Sequence, residues 1–98
     1  MRDYEIGTAE DARPYATLAQ KFVTGEISAQ KFEDDYLELF RQEQKYIPEK
    51  FSASINEIFY DIDDYVADPQ LRDTGDLDDD QLKERVAASL RVLLDALD

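Results

Sequence analysis

The stretch from residue 18 to residue 32 reads Leu18-Ala19-Gln20-Lys21-Phe22-Val23-Thr24-Gly25-Glu26-Ile27-Ser28-Ala29-Gln30-Lys31-Phe32. It closes one helix, turns the chain and opens the next. Tyr15, Leu18, Ala19, Phe22 and Val23 recur at i, i+3, i+4, i+7 and i+8, the spacing of one helical face. Gly25 stands where a helix stop belongs. Ser28 is a good N-cap, and Ile27 with Phe32 is spaced for a hydrophobic staple across it. Two helices joined by so short a link pack as antiparallel neighbours.

Working outward, the same periodicity predicts four helices. The first spans about Asp11 to Thr24, with Pro14 in its first turn. The second spans about Ala29 to Lys45, with Phe32, Tyr36, Leu39 and Phe40 on one face and Pro48 interrupting the chain beyond it. The third starts at Ser52 or Ser54, where Ser54 and Glu57 match a capping box, and ends near Val66 before Asp68-Pro69. Its stripe is Ile55, Ile58, Phe59, Ile62 and Tyr65 or Val66. The fourth spans about Asp79 to Ala96, with a capping box from Asp78 and Gln81 and a staple from Leu77 and Leu82. Its inner face is Leu82, Val86, Leu90, Leu93, Leu94 and Leu97. No segment alternates with a period of two. The fold expected is all-α, a compact antiparallel four-helix bundle forming a single domain over residues 1–98.

Composition removes most chemistry. The 98 residues contain no Cys and no His. Disulfides and thiol catalysis are therefore excluded, and so is the commonest general base and transition-metal ligand. No GxxxxGK[ST], GxGxxG or HExxH motif is present. A calcium loop ending on Glu84 would begin at Asp73 and put Gly75 third, Leu77 fifth and Asp78 where the obligatory Gly belongs, so that reading fails. The modified serine of an acyl carrier protein is also missing. No catalytic residue, cofactor or metal site is expected. Residues 1–14 lack an apolar leader and no apolar run approaches 18 residues, so a cytoplasmic protein with no membrane partner is expected.

Charge carries the remaining signal. Lys and Arg number 11 against 24 Asp and Glu, a formal net charge of −13. Residues 1–50 hold 11 acids and 7 bases, net −4, whereas residues 51–98 hold 13 acids and 4 bases, net −9. Such a field repels nucleic acid and attracts basic protein surfaces. Glu57, Asp61, Asp64 and Asp68 fall at i, i+4, i+7 and i+11, flanked by Tyr60 and Asp63. Asp73 and Asp76 extend them along the following loop. A solvated face is the ordinary explanation of a charge run. Here like charges at i, i+4 cost about 0.2 to 0.5 kcal/mol per pair, Asp is a poor helix former, and acids near a helix C-terminus oppose its dipole. That cost favours a binding surface. Asp78, Asp79 and Asp80 precede a helix and are explained by capping and dipole. Tyr60 borders the stripe as a candidate anchor, since aromatics dominate hot spots. Tyr65 reads as core.

Two segments carry a family resemblance: residues 18–32 above, and Ile58-Phe59-Tyr60-Asp61-Ile62-Asp63-Asp64-Tyr65 leading through Asp68-Pro69-Gln70-Leu71-Arg72-Asp73-Thr74-Gly75-Asp76-Leu77-Asp78 to Leu82. Together they resemble the bacterial self-protective colicin-like immunity family, over about Leu18 to Leu94. The resemblance implies a four-helix bundle that binds the C-terminal nuclease domain of a bacteriocin or contact-dependent inhibition toxin. That domain is typified by a tRNA-cleaving ribonuclease, whose basic active site the immunity protein covers with carboxylates in place of phosphates. By position, Asp61, Asp63, Asp64 and Asp68, with Asp73 and Asp76, would face the toxin. The protein itself would contact no nucleic acid and would be a monomer when free. The competing class is an acidic adaptor, or a DNA mimic for another basic protein.

Overall fold

The computed structural model describes residues 6–98. The reading of a leaderless N-terminus falls in part on residues 1–5, outside the described residues. Four helices follow in order: α1 Ala9–Val23, α2 Ala29–Gln42, α3 Glu49–Asp64 and α4 Asp79–Leu97. A single 3-10 turn, Pro69–Leu71, lies in the long α3–α4 connection. Among the described residues extended pairing is limited to two isolated parallel bridges, Ile6 with Tyr46 and Tyr65 with Leu77. The four-helix bundle expected from periodicity is the fold. α4 packs most extensively on α3 and α1, and α1 lies also against α2.

Local signals explain most boundaries. Ser28 caps α2, its side chain accepting from the Lys31 N–H. Asp78 and Gln81 form the reciprocal capping box of α4, and Leu77 and Leu82 on either side of it are both buried. Gly25 has φ +85°, in the left-handed region a helix stop uses, where a Cβ is disfavoured.

Several expectations are corrected. α1 begins at Ala9, because Thr8 and Asp11 form a capping box there, and Pro14 therefore sits in the second turn. α2 stops at Gln42 rather than Lys45. α3 begins at Glu49, not at Ser52 or Ser54, with Pro48 as its N-cap. Pro48 thus starts a helix as well as separating two. Ser54 is an interior residue of α3 and buried, so it forms no capping box with Glu57. α3 ends at Asp64, and Leu94 of α4 is 42% exposed, outside the inner face assigned to it.

The core is aromatic between α1 and α2 and aliphatic between α3 and α4. Phe22 stacks on Phe32 with centroids 4.6 Å apart, and Phe32 and Tyr15 both pack on Tyr36. The two most buried tyrosine hydroxyls are satisfied: Tyr36 donates to the Ile55 carbonyl at 2.7 Å and Tyr15 to Glu43 at 3.1 Å. Ile55, Ile58 and Ile62 of α3 are buried, as are Leu82, Val86, Leu90 and Leu93 of α4. Burying a side chain of this kind contributes about 1.5 to 3 kcal/mol, so this seam fixes how α3 presents its outer face.

Candidate functional site

α3 is amphipathic, and its apolar stripe decides which carboxylates reach the surface. Glu57, Tyr60, Asp63 and Asp64 are exposed. At about 100° per residue they span roughly 120° of arc with Tyr60 in the middle. Tyr60 is 60% exposed and meets Phe59 edge-on, centroids 5.9 Å apart, while Phe59 stacks on Phe40 of α2 at 4.6 Å. The ring therefore stands on an aromatic base with its outer part in solvent. Among the described residues, the carboxylates of Glu57, Asp63 and Asp64 make no hydrogen bond or ion pair. Asp63 also borders a small cleft against α2 that Glu33 shares. Burial foremost, then Asp34, holds the Glu33 carboxyl above the ordinary range.

Asp61 departs from its expected place on an exposed stripe. It is 4% exposed, turned from the outer face toward α4, with its Oδ1 3.7 Å from Arg85 Nη1. The reason is angular: it lies only about 60° from Ile58 around the helix. Desolvation is the largest influence on its carboxyl and raises its pKa, the Arg85 guanidinium opposes, and Glu57 and Asp64 add to the rise.

The loop acids are partly consumed by the loop itself. Asp68 follows α3 rather than belonging to it, and its carboxylate accepts from the Gln70 N–H at 2.9 Å to cap the 3-10 turn. Asp76 accepts from the Asp73 N–H at 2.8 Å, closing a turn around Gly75, whose φ is +99°. The Asp73 carboxylate makes no such bond and is exposed. Arg72 turns inward, donating to the carbonyls of Val66 and Ala67. The loop is tied to the bundle by the Leu77 N–H to Asp64 carbonyl bond, 2.8 Å, and by the Tyr65 hydroxyl donating to Asp79. Asp73 and the free acids of α3 are thus held at one end of the molecule by a braced connection.

Two features lay outside the expectation from sequence. One is Arg85, whose pairing with Asp61 joins α4 to α3 and leaves no spacing signal in the sequence. The other is a shallow groove of about 300 Å³ between α3 and α4, lined by Ala53, Ser54, Glu57, Ala88, Ser89 and Val92. The run of small residues Ala87-Ala88-Ser89 was its trace in the sequence.

Among the described residues no three His, Cys, Asp or Glu are grouped to hold a metal ion, and no helix is long and apolar enough to cross a membrane. Neither a curated protein nor a solved structure matches the chain. The family model described as bacterial self-protective colicin-like immunity matches residues 12–93, which takes in all of α2 and α3 and most of α1 and α4. With that match over most of its length, the chain belongs to the bacterial self-protective colicin-like immunity family, and its role is protection against a toxin.

Proposed function

We propose that this immunity protein neutralises its toxin by covering the basic active site of a C-terminal nuclease domain, a tRNA-cleaving one, with the outer face of α3 and the adjoining loop. The observation that carries the reading is the set of unpaired carboxylates of Glu57, Asp63 and Asp64 around an exposed Tyr60. A nuclease site must bind several phosphates, so it concentrates Lys and Arg. Glu57 stands about 9 to 10.5 Å along the helix axis from Asp63 and Asp64, so the set can meet several such groups at once. Asp73 and, through the oxygens their turns leave free, Asp68 and Asp76 extend the surface. Asp61 contributes from beneath, through its charge. The inhibition is occlusion and asks no catalysis of the immunity protein. Tyr60 supplies apolar area at the centre of the contact, where hot spots concentrate. An adaptor or a DNA mimic would share the charge, but the family assigns the protein a toxin.

The test is the double substitution Asp63→Asn with Asp64→Asn. Neither side chain bonds to the rest of the described molecule, so the free variant should unfold at the wild-type temperature or slightly above. Affinity for the C-terminal domain of the toxin encoded beside it should fall by about 2 kcal/mol or more, because truncating one partner strands the other charge. Unchanged affinity would show that these acids are merely solvated.

A further inference from the structure

The groove between α3 and α4 has a composition that the outer acidic face lacks. Its walls are the methyl groups of Ala53 and Ala88 and the side chain of Val92, which is 59% exposed. Ser54 lies in its floor, a polar residue 6% exposed whose hydroxyl bonds to nothing among the described residues. No fully enclosed polar side-chain atom among those residues lacks a partner, so the unbonded Ser54 Oγ keeps contact with solvent, and Ser54 lines the groove. Glu57 stands at the rim with no cation of its own. One turn further along α3, Asp61 is served by Arg85 from within the molecule.

We propose that this groove receives one Lys or Arg side chain of the toxin domain, a reading that rests on the proposed function and gives it a defined subsite. The aliphatic stem of the incoming residue lies along Ala53, Ala88 and Val92, and its cationic head reaches the Glu57 carboxylate and donates to the Ser54 Oγ. Long basic side chains bury their stems on apolar surface while the head keeps polar company. About 300 Å³ is at the lower edge of ligand-pocket sizes, fit for one protruding side chain rather than a cofactor. Glu57 belongs both to the groove and to the outer face, so the two surfaces form one contact. A second copy of this chain is a poor occupant: a two-fold contact would set Glu57 near the acids of its mate, in a chain of net charge −13.

The experiment measures binding kinetics of the adjacent-gene toxin's C-terminal domain to Ala88→Phe, which fills the groove from an exposed position, and to Ser54→Ala, which removes only the hydroxyl. Ala88→Phe should weaken binding about tenfold or more, chiefly through faster dissociation, with the salt dependence of association kept. Ser54→Ala should lose about threefold to tenfold, the worth of one hydrogen bond. Wild-type affinity in a folded Ala88→Phe protein overturns the proposal. Should that variant fail to fold, Ser54→Ala decides, and unchanged affinity there overturns it equally. The groove alone fails if Asp63→Asn with Asp64→Asn weakens binding and both groove variants do not. A wild-type protein that leaves the toxin domain unbound removes both readings. A concentration-dependent dimer of the free protein that Ala88→Phe abolishes would assign the groove to a second copy and overturn the basic occupant.

Discussion

Asp61 shows how a single residue of an acidic run can leave it. Four carboxylates at i, i+4, i+7 and i+11 read as one exposed stripe, but the stripe borders the apolar face and Asp61 is the member nearest Ile58. The bundle closes over it, and Arg85 at 3.7 Å is a loose compensation. Its carboxyl pKa is raised by burial foremost, with Arg85 opposing and Glu57 and Asp64 reinforcing. An acid with a higher pKa folded than unfolded binds its proton more tightly in the native state. It therefore takes stability away as pH rises through and above the ordinary value of 3.8. Replacing it by Asn should remove that loss. Melts of Asp61→Asn and wild type from about pH 3 to about pH 7 should show the variant gaining relative to wild type as pH rises. A relative loss would mean that the Arg85 pair outweighs desolvation.

At the scale of elements, the α3–α4 connection is the part whose order is least local. It is held by the Val66 N–H to Leu77 carbonyl and Leu77 N–H to Asp64 carbonyl bonds, by the inward Arg72, and by Tyr65, 8% exposed, donating to Asp79 in the first turn of α4. Burial, and then Asp79, pushes the Tyr65 hydroxyl up to about 12. Tyr65→Phe keeps the ring and removes the bond, so it should cost about 1 kcal/mol in denaturant unfolding; a loss near zero would mean the backbone bonds alone hold the loop. None of this bracing was legible from the sequence, since a Tyr–Asp pair 14 residues apart leaves no periodic mark. The helices were legible, because Phe22, Phe32, Ile58 and Leu90 each sit in an apolar repeat that burial enforces. The start of α3 departs from the expectation for a local reason. Ser54 and Glu57 match a capping box, but Phe51 continues the same stripe one turn earlier and Pro48 is fit to precede a helix. For the site, the exposed acids of α3 and Tyr60 were legible as types and spacing. The inward turn of Asp61 and the groove were not, because both depend on where α4 lies.

Charge is the property that belongs to the molecule as a whole. The −9 of residues 51–98 against −4 of residues 1–50 makes the α3–α4 side a strong anionic pole. Three bases of the other half are answered within their own helices, Arg13 by Glu10, Lys31 by Asp35 and Arg41 by Glu38. Those pairs are exposed and contribute little to stability, but they leave most of the long-range field to the α3–α4 side. On the proposed reading, a basic toxin domain would be steered to that side before any contact forms, with charge acting on the association rate and buried contacts setting dissociation. Screening shortens the reach of the field to about 8 Å at physiological ionic strength and to less above it. Association measured from about 50 to about 500 mM salt should therefore slow tenfold or more, with dissociation changing far less. Asp63→Asn with Asp64→Asn should lower the rate at low salt and flatten this dependence, since it removes two charges from the pole. A rate indifferent to salt in the wild type would mean that encounter is governed by shape, and the clustering of acids on α3 would then have to be explained by short-range contacts alone.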